Sequence, residues 1–164
     1  MKIIKAIPSA ITSLNLTCGS LATFFALNGE VEIAVYLIIA ASIFDFLDGF
    51  AARLLKAVSE FGKQLDSLSD LISFGFAPAA LLYNHIFSNN ILPEHFEYSV
   101  VGIILFSALR LAKFNIDPDQ SSEFKGLPTP ATALFILAVV FPSGKSIVDC
   151  SFLFVSQYLI IAIL

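Results

Sequence analysis

Charged residues are scarce in this sequence. Only 13% of its 164 residues are Asp, Glu, Lys or Arg, whereas 57% are hydrophobic. A soluble domain carries about a quarter charged residues, so no soluble domain is expected in this chain. Basic residues are the scarcer kind, since nine Lys and Arg stand against thirteen Asp and Glu, and the net charge is −4. Without a basic surface, nucleic acid is excluded as a partner.

Cysteine and histidine are also rare. The two cysteines, Cys18 and Cys150, lie in or beside apolar stretches, where we expect them to pack as small hydrophobic residues. The two histidines, His85 and His95, lie at or beyond the end of the third apolar stretch, and we expect them to be interfacial or loop residues. Neither residue type accompanies the acidic residues described below, which argues against a zinc site.

The chain is instead dominated by apolar runs close to the length of about 20 residues that crosses a bilayer. We predict an all-α integral membrane protein, with about six transmembrane helices in one bundle and one domain over residues 1–164. The predicted spans are Pro8–Leu27, Val31–Ala52, Leu65–Ile86, Tyr98–Ala112 (or Tyr98–Asn115), Pro128–Pro142 and Cys150–Leu164. Because the last run stops without a polar flank, we expect the sixth span to be truncated in this chain.

The N-terminus, MKIIK followed by an apolar stretch, has the charge pattern of a secretory signal as well as that of a first span. We interpret it as a span, because Thr12, Ser13, Asn15 and Thr17 make the stretch too polar for a signal and further spans follow. We expect Asn15 and Thr17 to form hydrogen bonds between helices rather than to bind a ligand.

Lysine and arginine are distributed unequally between the two sides of the predicted bundle. If the N-terminus is cytoplasmic, eight of the nine fall on the cytoplasmic side and only Lys145 falls outside. The eight are Lys2, Lys5, Arg53, Lys56, Lys63, Arg110, Lys113 and Lys125. Because cytoplasmic loops carry the excess of Lys and Arg in membrane proteins, we predict a cytoplasmic N-terminus.

Four aspartates interrupt the apolar runs, two in the second span and two in the third. Asp45 and Asp48 are three residues apart and Asp66 and Asp70 are four apart, so each pair lies on one helix face. One carboxylate at membrane depth costs roughly 2.5–3.5 kcal/mol, so four together need a compensating partner. If the two spans form a hairpin around the basic turn Leu54–Lys63, the carboxylates converge, and bound divalent cations would neutralise them.

Other residues of the same stretch favour a phosphorylated ligand. Gly49, Ala52 and Gly62 remove side chains beside the carboxylates, so that helices can approach or a flat ligand can reach the backbone. Arg53 places a guanidinium at the membrane interface, where a phosphate can bind. Carboxylate ligands suggest Mg²⁺ or Mn²⁺, and two such ions about 4 Å apart can clamp a pyrophosphate during an in-line displacement.

These residues form the pattern D-x-x-D-G-x-x-A-R-x₈-G-x₃-D-x₃-D, which resembles the signature of the CDP-alcohol phosphatidyltransferases at every fixed position. The resemblance implies a six-span bundle, usually a homodimer, in which a small alcohol displaces CMP from a CDP-linked lipid. It implies that Asp70 is the general base and also a metal ligand. The other implied metal ligands are Asp45, Asp48 and Asp66, and the implied nucleotide-binding residues are Gly49, Ala52, Arg53 and Gly62.

Further stretches, including SLNLTCGSLA, LRLAKFN and FKGLPTPA, are similar to the bacterial and archaeal serine-specific enzymes of that family. The implied reaction converts CDP-diacylglycerol and L-serine into phosphatidylserine and CMP, at the cytoplasmic face of a prokaryotic inner membrane. Arg110 and Lys113 are three residues apart at the end of the fourth span and can share a helix face. We predict that they, together with Asn115, bind serine through its carboxylate.

Several alternatives stay open. The aspartates can form a structural ion-pair network with Arg53, Lys56 and Lys63, and Arg110 and Lys113 can be ordinary topology anchors. The acceptor can be glycerol phosphate or inositol phosphate, although a phosphate dianion needs a larger cationic pocket. Intramembrane acids also mark ion pathways, so the chain can be a cation-coupled or proton-coupled transporter. That class, however, places its acids near the midplane between inverted repeats, and no repeat is found here.

Overall fold

The computed structural model describes residues 2–89, 96–116 and 129–140, and all regular structure in these ranges is helical. Two segments depart from α-helical winding: the π-helix Leu71–Phe76 and the 3₁₀ helix Phe96–Val100. The α-helices in these ranges are α1 (Lys2–Leu27), α2 (Val31–Leu54), α3 (Glu60–Asp70), α4 (Ala77–Asn89), α5 (Val101–Ile116) and α6 (Thr129–Val140). The predicted all-α class is confirmed.

Four helices of the described residues are long and apolar enough to cross a membrane. They correspond to the first four predicted spans and are Ala6–Leu27, Val31–Leu54, Glu60–Ser88 and Tyr98–Ile116. α6 has 12 residues, about 18 Å of helix, and covers most of the predicted fifth span. The sixth predicted span, Cys150–Leu164, lies outside the described residues, as do Lys125 and Lys145, so the number of six spans stays a prediction.

A glycine turn reverses the chain between α1 and α2. Gly29 has a φ of +84°, in the left-handed region that glycine adopts without steric cost. Its N–H donates to the carbonyl of Ala26, and the N–H of Glu30 donates to the carbonyl of Phe25, which is the pattern of a Schellman motif. The turn returns α2 along α1, and these two helices share the most extensive helix contact of the described structure.

The end of α2 uses the same hydrogen-bond pattern with lysine in the position where glycine is usual. Lys56 has a φ of +48°, and its N–H donates to the carbonyl of Arg53. The N–H of Ala57 donates to the carbonyl of Ala52, and the Ala57 side chain is buried. The chain therefore turns sharply directly after Arg53 and Leu54, which are the last two residues of α2.

Ser59 sets the start of α3. Its hydroxyl oxygen accepts a hydrogen bond from the N–H of Gly62 at 3.0 Å, which caps the helix. The third span contains the predicted Leu65–Ile86 but begins earlier, at Glu60, because this cap starts the helix there. The turn is therefore shorter than the predicted Leu54–Lys63. The turn is consequently short, and the two halves of the acidic pattern are held close in space.

The third span runs through α3 and α4 as one helix with the π-helix Leu71–Phe76 at its centre. Pro78 lies just beyond this π-segment and has no N–H to donate to the preceding turn, where its ring would also crowd a carbonyl oxygen of a regular α-helix. The wider winding of a π-helix accommodates this conflict. Because the π-segment begins directly after Asp70, the aspartates of α3 lie on regular α-helix next to an irregular turn.

The core lies where α1 and α2 pack against the third span. Phe74, Ile38 and Leu81 are fully buried there, beside Ala22 and Ala26 of α1. Alanines on α1 allow the larger side chains of the neighbouring helices to fill the interface. Many large apolar side chains on the outer faces are exposed, as expected where lipid rather than water surrounds the helices.

Candidate active site

The predicted aspartates come together between α2 and α3. One carboxylate oxygen from each of Asp45, Asp48 and Asp66 lies within 4.8 Å of the other two. Asp70 is within hydrogen-bonding reach of Asp45. The short turn between the helices therefore brings the two carboxylate pairs to one place, as the hairpin prediction required.

The cluster has the properties of a divalent cation site. Asp48 Oδ2, Asp66 Oδ1 and Asp70 Oδ1 are buried and have no hydrogen-bond partner within the described part of the chain. Leaving buried carboxylate oxygens unpartnered is costly unless a cation binds them. Oxygens bound to one Mg²⁺ lie at most about 4.2 Å apart, so carboxylates within 4.8 Å of one another need only a small movement to bind the same ion. These residues fit a hard divalent cation, and their unpartnered oxygens argue against the structural ion-pair network.

A cleft of about 230 Å³ opens beside the cluster. The start of α1, the end of α2, the turn and the start of α3 all contribute to it. The predicted nucleotide-binding residues all line this cleft, and they are Gly49, Ala52, Arg53 and Gly62. Asp48 and Asp66 supply carboxylates to the same lining, and Lys63 adds a second cationic side chain. The cleft thus joins the acidic cluster to a basic and sterically open region.

Glycines keep this cleft open. A Cβ built on Gly49 would meet only the Nη2 atom of Arg53, at 3.8 Å. A Cβ built on Gly62 would lie 3.0 Å from the hydroxyl of Ser59 and 3.7 Å from that of Ser9, so α3 comes close to α1 at this point. The Nε of Arg53 donates to the carbonyl of Gly49 at 3.0 Å, which holds the guanidinium stem against α2. Gly49 therefore faces ligand space, whereas Gly62 serves both the cleft and helix packing.

α1 contributes a wall of the cleft that lies outside the acidic pattern. Pro8, Ser9 and Thr12 line it. The Thr12 hydroxyl donates to the carbonyl of Pro8 at 3.0 Å and lies beside the carboxylate of Asp48. Sequence reasoning missed these three residues and also missed Lys63 as a lining residue. The unusual polarity of the first span was the sequence signal that could have indicated a role for α1 in the cleft.

Two buried hydrogen bonds join α1 to the helix that carries the second aspartate pair. The hydroxyl of Ser69 donates to the carbonyl of Thr12 at 3.3 Å. The hydroxyl of Ser73 donates to Oδ1 of Asn15 at 2.7 Å and lies 3.2 Å from the carbonyl oxygen of the same residue. All four residues are buried. α1 is therefore hydrogen-bonded to the third span next to the carboxylates.

The expectation that Asn15 forms an interhelical hydrogen bond is confirmed by this contact with Ser73. The same expectation for Thr17 is wrong. Its hydroxyl donates to the carbonyl of Ser13 at 2.8 Å, one turn earlier in α1. An exposed Thr in a helix can satisfy its hydroxyl in this way without any neighbouring helix.

The predicted serine-binding residues lie on α5, whose position is fixed by two contacts with the third span. Nδ2 of Asn115 donates to the hydroxyl of Ser67 at 2.9 Å. A Cβ built on Gly75 would lie 3.4 Å from the Cβ of Ser107, so the helices are close there as well. The two contacts are eight residues apart on both helices, which makes α5 antiparallel to the third span. Arg110 is therefore level with the start of the π-segment.

The side chains of these residues differ in environment. Arg110 is half-buried, whereas Lys113 is exposed. Asn115 is engaged with Ser67 and so links α5 to α3. By this register Lys113 is level with Ser69, between the two aspartates of α3, whereas Arg110 lies just beyond Asp70. The binding of serine by the three residues stays a prediction.

The chain is similar to known proteins over most of its length. The family model described as CDP-alcohol phosphatidyltransferase matches residues 5–163. The CDP-diacylglycerol–serine O-phosphatidyltransferase of Helicobacter pylori is 33% identical over 146 residues, which cover 84% of this chain and 58% of that protein. The Bacillus subtilis protein of the same name is 38% identical over 140 residues, which cover 82% and 75%. The archaetidylserine synthase of Methanothermobacter thermautotrophicus is 34% identical over 157 residues, which cover 92% and 64%.

The extent of these matches decides what they establish. The chain spans 58% of the length of the Helicobacter pylori relative and 75% of that of the Bacillus subtilis relative. The family model, by contrast, matches nearly all of this chain, and its range contains both aspartate pairs and every residue of the cleft. The match includes the acidic cluster and the cleft of this membrane bundle. The chain therefore belongs to the CDP-alcohol phosphatidyltransferase family.

Proposed function

We propose that the protein transfers the phosphatidyl group of CDP-diacylglycerol to the hydroxyl group of L-serine and releases CMP. The observation that carries the proposal is the group of three carboxylates within 4.8 Å of one another beside a cleft lined by the rest of the family signature. The names of the relatives, two serine phosphatidyltransferases and an archaetidylserine synthase, support serine as the acceptor.

In this proposal the four aspartates hold two Mg²⁺ or Mn²⁺ ions. Carboxylate oxygens are the ligands that these cations prefer, and three of the aspartates each keep a buried oxygen that has no partner among the described residues. When bound, such ions neutralise the charge of a pyrophosphate and stabilise the negative charge that develops on a leaving phosphate.

Asp70 is the general base. Its Oδ1 is buried and has no hydrogen-bond partner among the described residues, so it can accept the proton of the serine hydroxyl. As that proton moves to Asp70, the serine oxygen forms a bond to the phosphorus atom that carries the diacylglycerol. The bond from this phosphorus to the bridging oxygen of CMP breaks, and CMP leaves with the electron pair.

The cleft binds the nucleotide part of the lipid substrate. Gly49 and Ala52 present an almost bare helix surface to it, and Gly62 does the same at the start of α3. Arg53 supplies a guanidinium for a phosphate oxygen. These groups contact the part of the substrate that becomes CMP. Their replacement should therefore raise the KM for the CDP-lipid more than the KM for the acceptor.

Arg110 and Lys113 hold the serine carboxylate. The register of α5 supports this assignment, because it places Lys113 level with Ser69, next to Asp70, and Arg110 level with the start of the π-segment that follows Asp70. Asn115 contributes from its position against Ser67. A glycerol phosphate or inositol phosphate acceptor would bring a phosphate dianion and require further cations at the same place.

The cleft faces the cytoplasm in a prokaryotic inner membrane. Arg53, Lys56 and Lys63 lie at the same end of α2 and α3 as the cleft, and basic residues concentrate on the cytoplasmic side of membrane proteins. The family resemblance further predicts a homodimer.

A CMP-release assay tests the proposed function. The purified protein in detergent would be given CDP-diacylglycerol and Mn²⁺ with serine, glycerol phosphate, inositol phosphate or no acceptor. We expect CMP release that depends on serine. CMP release that depends on one of the other alcohols would show that this alcohol, and not serine, is the acceptor. Absence of release with every alcohol would refute the enzymatic proposal.

Variants of the cluster test the mechanism in the same assay. Asp66→Asn and Asp70→Asn each remove an anionic ligand, so activity should fall at least about a hundredfold. Glu32→Gln is a matched control, because Glu32 is an exposed acid in the first turn of α2. Near-normal turnover in the folded Asp variants would show that the cluster is not the active site.

A further inference from the structure

The carboxylate cluster raises the question of what holds its two halves together. Carboxylates of like charge repel one another until cations bind. α2 and α3 are joined by a short turn at one end only. α1 contacts both helices, since it packs along α2 and also against α3 and the π-segment. The contacts of α1 are therefore the place to look for a support of the cluster.

Ser69 and Ser73 provide that support on the third span. They lie on either side of Asp70 in the sequence, one turn apart, and both have 0% exposure. Each donates a hydrogen bond to α1, Ser69 to the carbonyl of Thr12 and Ser73 to Oδ1 of Asn15. Any rotation of the helix that moved the carboxylate of Asp70 would break both hydrogen bonds.

Gly19 fixes the distance between the same two helices. A Cβ built on it would lie 2.6 Å from the Cα of Ser73, closer than any real contact of that kind. The backbones therefore approach each other as far as sterics allow, which is typical of helix pairs with small residues at the contact. The pair Asn15 and Ser73 consequently sits at the tightest approach, where a small displacement has a large effect.

The chemistry of Asn15 argues for a positioning role rather than for simple packing. Its Nδ2 is buried and has no hydrogen-bond partner among the residues that the structure describes. A buried amide donor without a partner is unfavourable, and an apolar side chain of similar size would avoid this cost. What the asparagine provides is the oxygen that accepts the hydrogen bond from the Ser73 hydroxyl.

The π-segment gives a further reason why the contact between Ser73 and Asn15 matters for the position of the third span. Ser73 lies inside it, and the winding there differs from that of the α-helix on either side. Because the winding changes directly after Asp70, the rotation of α3 relative to α4 is not set by regular α-helical geometry alone. The hydrogen bond from Ser73 to Asn15 ties this segment to α1 in one rotation.

We infer that Asn15 and Ser73 are positioning residues whose hydrogen bond holds the third span in the rotation at which its aspartates face those of α2. The inference rests on the proposed metal-dependent function and extends it to α1, which the family signature does not include. The pair touches neither substrate nor metal ligand atoms in this scheme. It acts through the placement of the carboxylates.

The affinity of the full chain for Mn²⁺ tests the inference without catalysis. Free Mn²⁺ would be measured by electron paramagnetic resonance in titrations of the purified protein. In Ser73→Ala and in Asn15→Ala, we expect the Kd for Mn²⁺ to rise about 3-fold to 20-fold, the range of measured interhelical hydrogen bonds in membranes. The double variant should match the larger single effect, because both changes remove the same bond.

Ser20→Ala is the matched control for these variants. Ser20 is a half-buried residue of α1 whose hydroxyl donates to the carbonyl of Leu16 within its own helix at 2.8 Å. Its loss should leave the Kd for Mn²⁺ unchanged. Ser73→Ala removes a single oxygen atom, so it decides the question even if Asn15→Ala does not fold.

The outcomes separate this inference from the proposed function. Mn²⁺ binding by the wild-type protein but not by Asp66→Asn would establish the metal site. If Ser73→Ala then binds Mn²⁺ with the wild-type Kd and only melts at a lower temperature, the pair is structural and the inference is overturned. Additive effects in the double variant would overturn it as well. A wild-type protein that binds no Mn²⁺ would refute the proposed metal site and this inference with it.

Discussion

Replacing Gly19 with alanine is the sharpest test of how the active site depends on α1. The new methyl group would lie 2.6 Å from the Cα of Ser73. Because that atom belongs to the backbone, no change of side-chain rotamer can relieve the overlap. α1 and the π-segment must separate by roughly 1 Å to restore an ordinary van der Waals distance.

The size of the expected effect follows from this displacement. Overpacking of this kind costs about 1–3 kcal/mol of stability, so the protein should still fold. The displaced segment begins one residue after Asp70, and a misplacement of about 1 Å at a catalytic group can reduce the rate about a hundredfold. We therefore expect Gly19→Ala to be a folded protein with a kcat about a hundredfold lower.

CMP release and the melting temperature would be measured on the same preparations. Gly102→Ala is the matched control, because a Cβ on Gly102 would meet only ring carbons of Phe106, at 3.8 Å or more, and should change neither quantity. A Gly19→Ala protein with wild-type kcat would refute the claim that the contact between α1 and the π-segment positions the carboxylates. A loss of activity no larger than the unfolded fraction would refute it equally.

Three other predictions concern the ligands and the orientation. Gly49→Ala should leave the melting temperature unchanged but raise the KM for CDP-diacylglycerol about tenfold, because the new methyl group fills ligand space; an unchanged KM would remove Gly49 from the nucleotide pocket. Arg110→Lys should cost about 1–3 kcal/mol in kcat/KM for serine through loss of the bidentate fork, and Lys113→Ala should raise the KM for serine. A defect confined to the lipid substrate would reassign both residues to the phosphates. In a background without native cysteines, an impermeant thiol reagent should label Ser88→Cys but not Ser59→Cys from outside intact cells, and the reverse pattern would invert the topology.

The sequence alone was sufficient for the membrane class, the first four spans and the acidic pattern. Each of these depends on local information. A run of apolar residues either reaches the length of a span or does not, and a spacing of three or four residues places two aspartates on one helix face wherever the helix lies. The convergence of Asp45, Asp48 and Asp66 follows from these spacings once the chain turns back within a few residues.

The details of that turn were predictable only in part. Ser59 is a favoured N-cap residue, but the basic residues around it obscured the start of α3, so the predicted turn was too long. Lys56 occupies a left-handed position in which glycine is usual. Because the residue is a lysine, the sequence does not predict that α2 ends there. Local signals compete at such boundaries, and the packing of the hairpin decides between them.

Only the tertiary structure decided the role of α1. The hydrogen bonds from Ser69 to Thr12 and from Ser73 to Asn15 join residues more than fifty positions apart, and that from Asn115 to Ser67 joins residues 48 positions apart. Such pairs depend on the register and rotation of whole helices, which are set by the summed packing of many side chains and not by any local pattern. The sequence therefore determined which residues carry the chemistry, and the packing of α1 and α5 against the third span determined how those residues are held.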